Sequence, residues 1–173
     1  MLKKIAALVI TSIILLGCAT KSKTTSDTFE KIVFHSSACF GDCPVYHLEV
    51  KNDKKVKLIS EESPRSSKQK SSESINKEPI YKTGSINDGT FNRLTHELKA
   101  IGMDSIEFDG VTCCDRPLIT IILYHNGKRT FLQSMFPPEK ANKLIEILYE
   151  ISKSEALQKS DEIFFVEEPK NNR

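Results

Sequence analysis

The chain has 173 residues, 39% of them hydrophobic and 28% charged, with seven glycines, seven prolines and no tryptophan. That length suits one domain, and the composition excludes a collagen-like repeat, a multi-span membrane protein and a wholly disordered chain. Twenty-five Lys and Arg against 23 Asp and Glu give a net charge of +2, far from the basic balance of a nucleic-acid binder, so no nucleic-acid partner is expected.

Lys3 and Lys4 precede an uncharged, mostly apolar run from Ile5 to Leu16. As a helix that run would rise about 18 Å, short of the ~30 Å hydrocarbon core, so it suits a signal sequence better than a membrane span. It ends in Leu15-Leu16-Gly17-Cys18, which looks like a bacterial lipobox: an apolar residue, a small residue, then a thiol to accept lipid. On this reading residues 1–17 are a lipoprotein signal peptide and Cys18 is the lipidated N-terminus. Three acyl chains there exceed the two needed for stable anchoring. Ala19, rather than Asp, follows the cysteine and favours the outer membrane of the envelope over the inner. Loss of Lys3 and Lys4 leaves 23 basic and 23 acidic side chains, so the mature chain is formally neutral. Of five cysteines, setting Cys18 apart leaves an even four.

Residues 18–28 are polar, lack periodicity and read as a flexible tether. A single domain is expected from 29 to 168. Lys31 to Phe34 is a strand candidate, and Val45 to Lys51 alternates, with Tyr46, Leu48 and Val50 opposite His47 and Glu49. Asn52-Asp53-Lys54 turns the chain into a second hairpin strand, Val56 to Ser60. Residues 61–79 contain six serines and eight charges that cancel, with Ile75 the only aliphatic side chain. Such a stretch cannot bury enough apolar surface to offset ordering and is expected to be a disordered loop within the domain. Ile80 to Ser85 returns as a short strand. Phe91, Leu94, Leu98 and Ile101 share one face of a helix over 88–101, which Gly102 stops.

Asp104 to Phe108 is expected to be extended. Leu118 to Tyr124 is nearly continuous in apolar and β-branched residues, which predicts a strand central in the sheet. Asn126-Gly127 makes a hairpin turn into Arg129 to Ser134. Pro137-Pro138 opens a second helix to about Ser152, with Ala141, Leu144, Ile145, Leu148 and Ile151 on one side. Ile163 to Val166 is a final edge strand or a docking segment. Two helices and five to six strands predict an α+β fold: a two-layer sandwich of a mainly antiparallel sheet with both helices on one face.

The cysteines carry the most chemistry. Exported thiols commonly oxidise to disulfides, and a Cys39–Cys43 bridge would close a tight turn that Gly41 accommodates. Cys113 and Cys114 then remain as a possible disulfide or metal pair, although adjacent cysteines in an extended stretch point to opposite faces. Four cysteines allow three connectivities. A weaker alternative gathers His35, Cys39, Cys43 and Asp115, with Asp109 nearby, as ligands for zinc or copper(I). The spacing is neither a C-x2-C zinc knuckle nor the C-x-x-C of a thiol oxidoreductase. No G-x-S-x-G, H-E-x-x-H or P-loop pattern occurs. His47, His96 and His125 read as solvated, and Asp115 as a turn or capping carboxylate. No catalytic residue and no cofactor is assigned.

Cys39-Phe40-Gly41-Asp42-Cys43-Pro44-Val45-Tyr46 gives a C-x-G-x-C-P-x-Y turn between two strands. This resembles a family of uncharacterised bacterial envelope proteins, often lipoproteins, known only as a domain of unknown function. The resemblance extends more loosely over residues 31–153, through Asp115-Arg116-Pro117, the apolar strand, the Asn-Gly hairpin and Phe136-Pro137-Pro138. The chain departs from the family in its longer Ser-rich loop and in Cys113-Cys114. The resemblance implies a fold, a compartment and a preference for the Cys39–Cys43 pairing, and it implies no mechanism. The expectation is a lipid-anchored envelope protein with a binding or structural role and an unidentified envelope protein or ligand as partner. The alternative is a thiol-based metal or redox protein using Cys39, Cys43, Cys113 and Cys114.

Overall fold

The computed structural model describes residues 28–39, 43–61 and 78–170. The signal sequence with Cys18, nearly all of the tether, Gly41 and residues 62–77 of the Ser-rich loop lie outside the described residues. Within them the chain forms seven strands: β1 (Lys31–Ser36), β2 (Val45–Lys51), β3 (Lys55–Glu61), β4 (Ile80–Ser85), β5 (Ile119–His125), β6 (Lys128–Ser134) and the two-residue β7 (Gln158–Lys159). Two helices, α1 (Asp88–Ile101) and α2 (Asn142–Ser152), complete the fold, and a single 3-10 turn, Glu139–Ala141, leads into α2. All neighbouring strands are antiparallel, in the order β6-β5-β1-β2-β3-β4-β7. The protein is a mixed α+β fold.

Alternation along the strands divides the sheet into two faces. Ile32, Phe34, Leu48, Val50, Val56 and Leu58 point to one face and are buried in a cluster with Leu94 and Leu98 of α1 and Leu144, Leu148 and Ile151 of α2. Fully burying each such side chain contributes roughly 1.5–3 kcal/mol. Helix α1 begins where the Asn87 side chain accepts from the Thr90 amide at 2.9 Å. It ends at Gly102, which donates its amide to Lys99 O and turns the chain out of the helix with a φ of 77°. Arg93 of α1 grips Glu150 of α2 with two hydrogen bonds of 2.9 and 2.8 Å.

Strand β5 is not central: it lies second from the sheet edge, between β6 and β1. Its continuous apolar run reflects burial on both faces. Ile119, Ile121 and Leu123 join the main core, whereas Ile122 joins a second cluster on the opposite side. Asp104 to Phe108 is not a strand, and it contributes the buried Ile106 to the main core.

The second cluster is built by the C-terminal segment. After α2 the chain reaches the β4 edge, where Lys82 pairs with Lys159 and Thr83 with Gln158. Gly84 permits this approach, since a Cβ there would lie 2.7 Å from Ala156 O. Residues 161–170 then cross the sheet face away from the main core, and Phe164 and Val166 are buried with Val33 and Ile122. Of the two expectations for residues 163–166, docking is the outcome; the edge strand forms earlier, at β7.

Candidate functional site

The β1–β2 hairpin sets up the most polar end of the sheet. Its register pairs Ser36 with Tyr46 and His35 with His47. Every one of these pairs is symmetric about Gly41, as are Cys39 and Cys43. The antiparallel register of β1 with β2 and the bond between the cysteines together bring all three pairs face to face. Cys39 and Cys43 are disulfide-bonded, with Cα atoms 5.4 Å apart, inside the span that bridged cysteines adopt.

On the tail side of the sheet, His35 Nδ1 and His47 Nδ1 are 2.7 Å apart, so one ring donates and the other accepts. His35 is 4% exposed, and its Nε2 is a buried side-chain polar atom with no hydrogen-bond partner. Burial, then repulsion from His47, lowers the His35 pKa to about 4; the nearby Glu167 backbone opposes the shift without hydrogen-bond geometry. Burial also lowers the His47 pKa, against the pull of Glu61. The expectation that His47 is solvated is therefore corrected: it is half-buried against His35. His125 is corrected too, being 7% exposed and hydrogen-bonded to Asn126. His96 is exposed, as its pattern predicts.

The tail fastens itself beside these rings. Glu167 accepts from Lys31 Nζ at 3.0 Å, from Tyr124 Oη at 2.8 Å and from Arg129 Nε at 2.9 Å. Burial works against ionisation of Glu167, yet those three donors outweigh it and hold its pKa below the ordinary value. Phe164 meets Tyr81 edge-on at 5.3 Å, and Lys57 Nζ lies 5.2 Å from the Phe164 ring centroid.

On the helix side, Ser36 Oγ and Tyr149 Oη share a hydrogen bond of 2.6 Å, and Tyr46 packs against the Tyr149 ring. Burial raises the Tyr149 pKa, so its phenol remains protonated and serves as a hydrogen-bonding group. These are satisfied pairs in a core, which tie the hairpin to α2.

The 109–118 loop arrives at the same end of the sheet. Asp109 accepts from Ser134 Oγ at 2.6 Å, Met135 N donates to Val111 O at 2.7 Å, and Leu118 N donates to Ser37 Oγ at 2.8 Å. The loop is thus braced on both sides, with Cys113 and Cys114 exposed between the braces. Cys114 has a φ of 72°, and the two sulfurs lie 2.8 Å apart. The expectation that adjacent cysteines diverge is overturned, because the left-handed residue is no longer in an extended strand. Contact with Cys114, then desolvation, raises the Cys113 pKa above its ordinary value.

Among the described residues no group of three or more His, Cys, Asp or Glu is placed to hold a metal ion. The set His35, Cys39, Cys43 and Asp115 is not gathered: the two cysteines bond each other, His35 is buried against His47, and Asp115 is exposed. Sequence reasoning missed the histidine pair and the Glu167 anchor. The pair was signalled by its symmetry about Gly41; the anchor had no local signal.

Residues 30–155 match a protein family described as Domain of unknown function (DUF6438). No curated protein matches the chain.

Proposed function

The chain belongs to the DUF6438 family, and from that premise we propose that it is a lipid-anchored protein of the bacterial cell envelope, its domain a binding or structural module rather than a catalyst. The observation that carries this reading is Leu15-Leu16-Gly17-Cys18 at the end of an uncharged apolar run behind Lys3 and Lys4. The bonded Cys39–Cys43 pair supports it, since such bridges persist in oxidising compartments. The described polar pairs support the non-catalytic part: His35 with His47, and Ser36 with Tyr149, are hydrogen-bonded to each other within the fold. Ala19 after the lipidated cysteine favours the outer membrane. Both helices cover one sheet face and the tail straps the other, so the module is a two-layer sandwich with a strap.

The tether joins the domain at one end of the sheet. Thr28, next to the tether, has its carbonyl 3.4 Å from His125 Nδ1, at the end of the sheet where β1 starts. The disulfide hairpin and the 109–118 loop lie one strand length away, roughly 17–20 Å. The cysteine-bearing end is thus the one farther from the tether's attachment, and on this reading it is the end that meets an envelope protein or ligand.

Fractionation of cells expressing Cys18→Ser tests the anchor. The variant should leave the membrane fraction, and the native chain should carry lipid at Cys18 by mass spectrometry. A Cys18→Ser protein that stays membrane-bound would defeat the reading. The alternative of a four-thiol metal or redox protein loses two of its thiols to the Cys39–Cys43 bond and survives only at Cys113 and Cys114.

A further inference from the structure

We propose that Cys113 and Cys114 form a reversible two-electron switch, a dithiol that closes to a vicinal disulfide by exchange with the reactive disulfide of a partner protein. Three observations meet at this pair. Both thiols are exposed, their sulfurs are 2.8 Å apart, and Cys114 already holds the left-handed φ of 72° that turns its side chain toward its neighbour. The flanks are braced: Val111 to Met135 and Leu118 to Ser37. Closure therefore changes the short segment between the braces and leaves the sheet untouched.

The chemistry balances without water or metal. One cysteine loses its proton to solvent and attacks a sulfur of the partner's disulfide, forming a mixed disulfide and expelling one partner thiolate. The neighbouring cysteine then loses its proton and attacks the bonded sulfur of the first. The eight-membered ring closes, and the second partner thiolate leaves. Two thiols of this chain are oxidised to one disulfide, and one disulfide of the partner is reduced to two thiols.

The same geometry defines the partner's chemistry and the direction of control. The contact that raises the Cys113 pKa keeps that thiol protonated, so a partner disulfide with a low-pKa leaving thiol reacts faster than glutathione does. Cα atoms of consecutive residues sit about 3.8 Å apart across a trans peptide, below the usual span of bridged cysteines, so the ring is strained and easily reduced. Cys39–Cys43 has no such constraint, with Cα atoms 5.4 Å apart. One bridge is for holding the hairpin and the other for switching. Arg116, whose guanidinium stacks 4.6 Å from the Phe136 ring, lies two residues beyond the pair.

The test uses the full chain carrying Cys18→Ser, so that it does not depend on lipid anchoring. Protein is equilibrated in glutathione buffers of graded redox poise, free thiols are alkylated, and intact and peptide masses are read. The expected product loses two hydrogens, carries no glutathione, maps its bridge to Cys113–Cys114, and reverts under dithiothreitol concentrations that spare Cys39–Cys43. Cys113→Ser and Cys114→Ser should each trap a glutathione adduct that persists at least roughly tenfold longer than on the parent chain, where the neighbouring thiol displaces it intramolecularly. Circular dichroism of both variants should match the parent, because neither side chain is buried. Stable double glutathione adducts, a bridge from either residue to Cys39 or Cys43, intermolecular dimers, or a tightly held zinc or copper ion that blocks oxidation would each overturn the proposal.

Discussion

The two faces of the sheet are covered by different means. The helix face is dry and aliphatic: Leu94, Leu98, Leu144 and Leu148 from two regular helices meet Ile32, Phe34, Leu48 and Leu58 from the strands. The opposite face mixes a small apolar cluster with His35, His47, Glu49 and the Glu167 anchor, under a segment with no regular structure. The difference separates two sources of stability. One face depends on apolar packing that a change of pH leaves largely untouched, and the other on polar groups whose charge states answer to pH.

The comparison breaks most directly at the helix face. Leu148 is fully buried beneath α2, and truncating it leaves a cavity that surrounding helices cannot wholly close. Leu148→Ala should cost about 3–4 kcal/mol of stability, read as a lower thermal midpoint at unchanged pH dependence. A loss under about 1 kcal/mol would show that this face is not the main core.

Next in size is the acid response of the tail face. An unfolded His35 titrates near 6.5, and the folded ring near 4. Between those values the unfolded chain binds more protons, so stability is full above about pH 6.5 and falls as pH drops toward 4. The gap corresponds to about 3 kcal/mol, and the lowered His47 acts in the same direction. Glu167 acts below this window, because its depressed pKa withdraws stability only as pH falls under its ordinary carboxylate range. Urea titrations between pH 7 and 4.5 should show the slope, and His35→Leu should flatten most of it. An unchanged slope in that variant would remove His35 as its source.

These two faces were unequally legible in the sequence. Helix α1, its Gly102 stop, the Asn-Gly hairpin and the aliphatic alternation of β2 follow from periods of 3.6 and 2, which are local properties. Burial of His47, His125 and Glu49 is not local. His47 and Glu49 sit on the polar side of β2 and are covered because other parts of the chain fold across them, whereas His125 ends the core-facing row of Ile119, Ile121 and Leu123. For the same reason the run in β5 announced burial on both faces but was misread as a central position. The cysteine pairs divide likewise. Cys39–Cys43 closes a short turn, whereas the meeting of Cys113 with Cys114 depends on a single left-handed residue that composition does not encode.

A smaller effect separates the tail from the rest of its face. Glu167 collects three donors, so Glu167→Gln removes charge-assisted hydrogen bonds and should cost about 1–2 kcal/mol. The loss should appear chiefly as faster hydrogen exchange across residues 161–170, with the helices protected as before. Uniformly faster exchange through α1 and α2 would mean that the strap and the main core unfold as one unit.

The smallest expected effect is the most discriminating for the strap itself. In an extended segment lying on a sheet, neighbouring side chains alternate, so Phe164 and Val166 point inward while Ile163 and Phe165 point out. The exposures follow that rule: Phe164 is 5% accessible and Phe165 is 90%. Two phenylalanines adjacent in sequence therefore have opposite thermodynamic weight. Phe165→Ser should change stability by no more than about 0.5 kcal/mol, whereas the same change at Phe164 strips the ring from Tyr81 and Lys57 and loosens the tail. Equal effects at both positions would mean that the tail does not hold one register on the sheet. A larger loss at Phe165 would place the opposite side of the segment inward, which would lift Phe164 and Val166 out of their cluster with Val33 and Ile122.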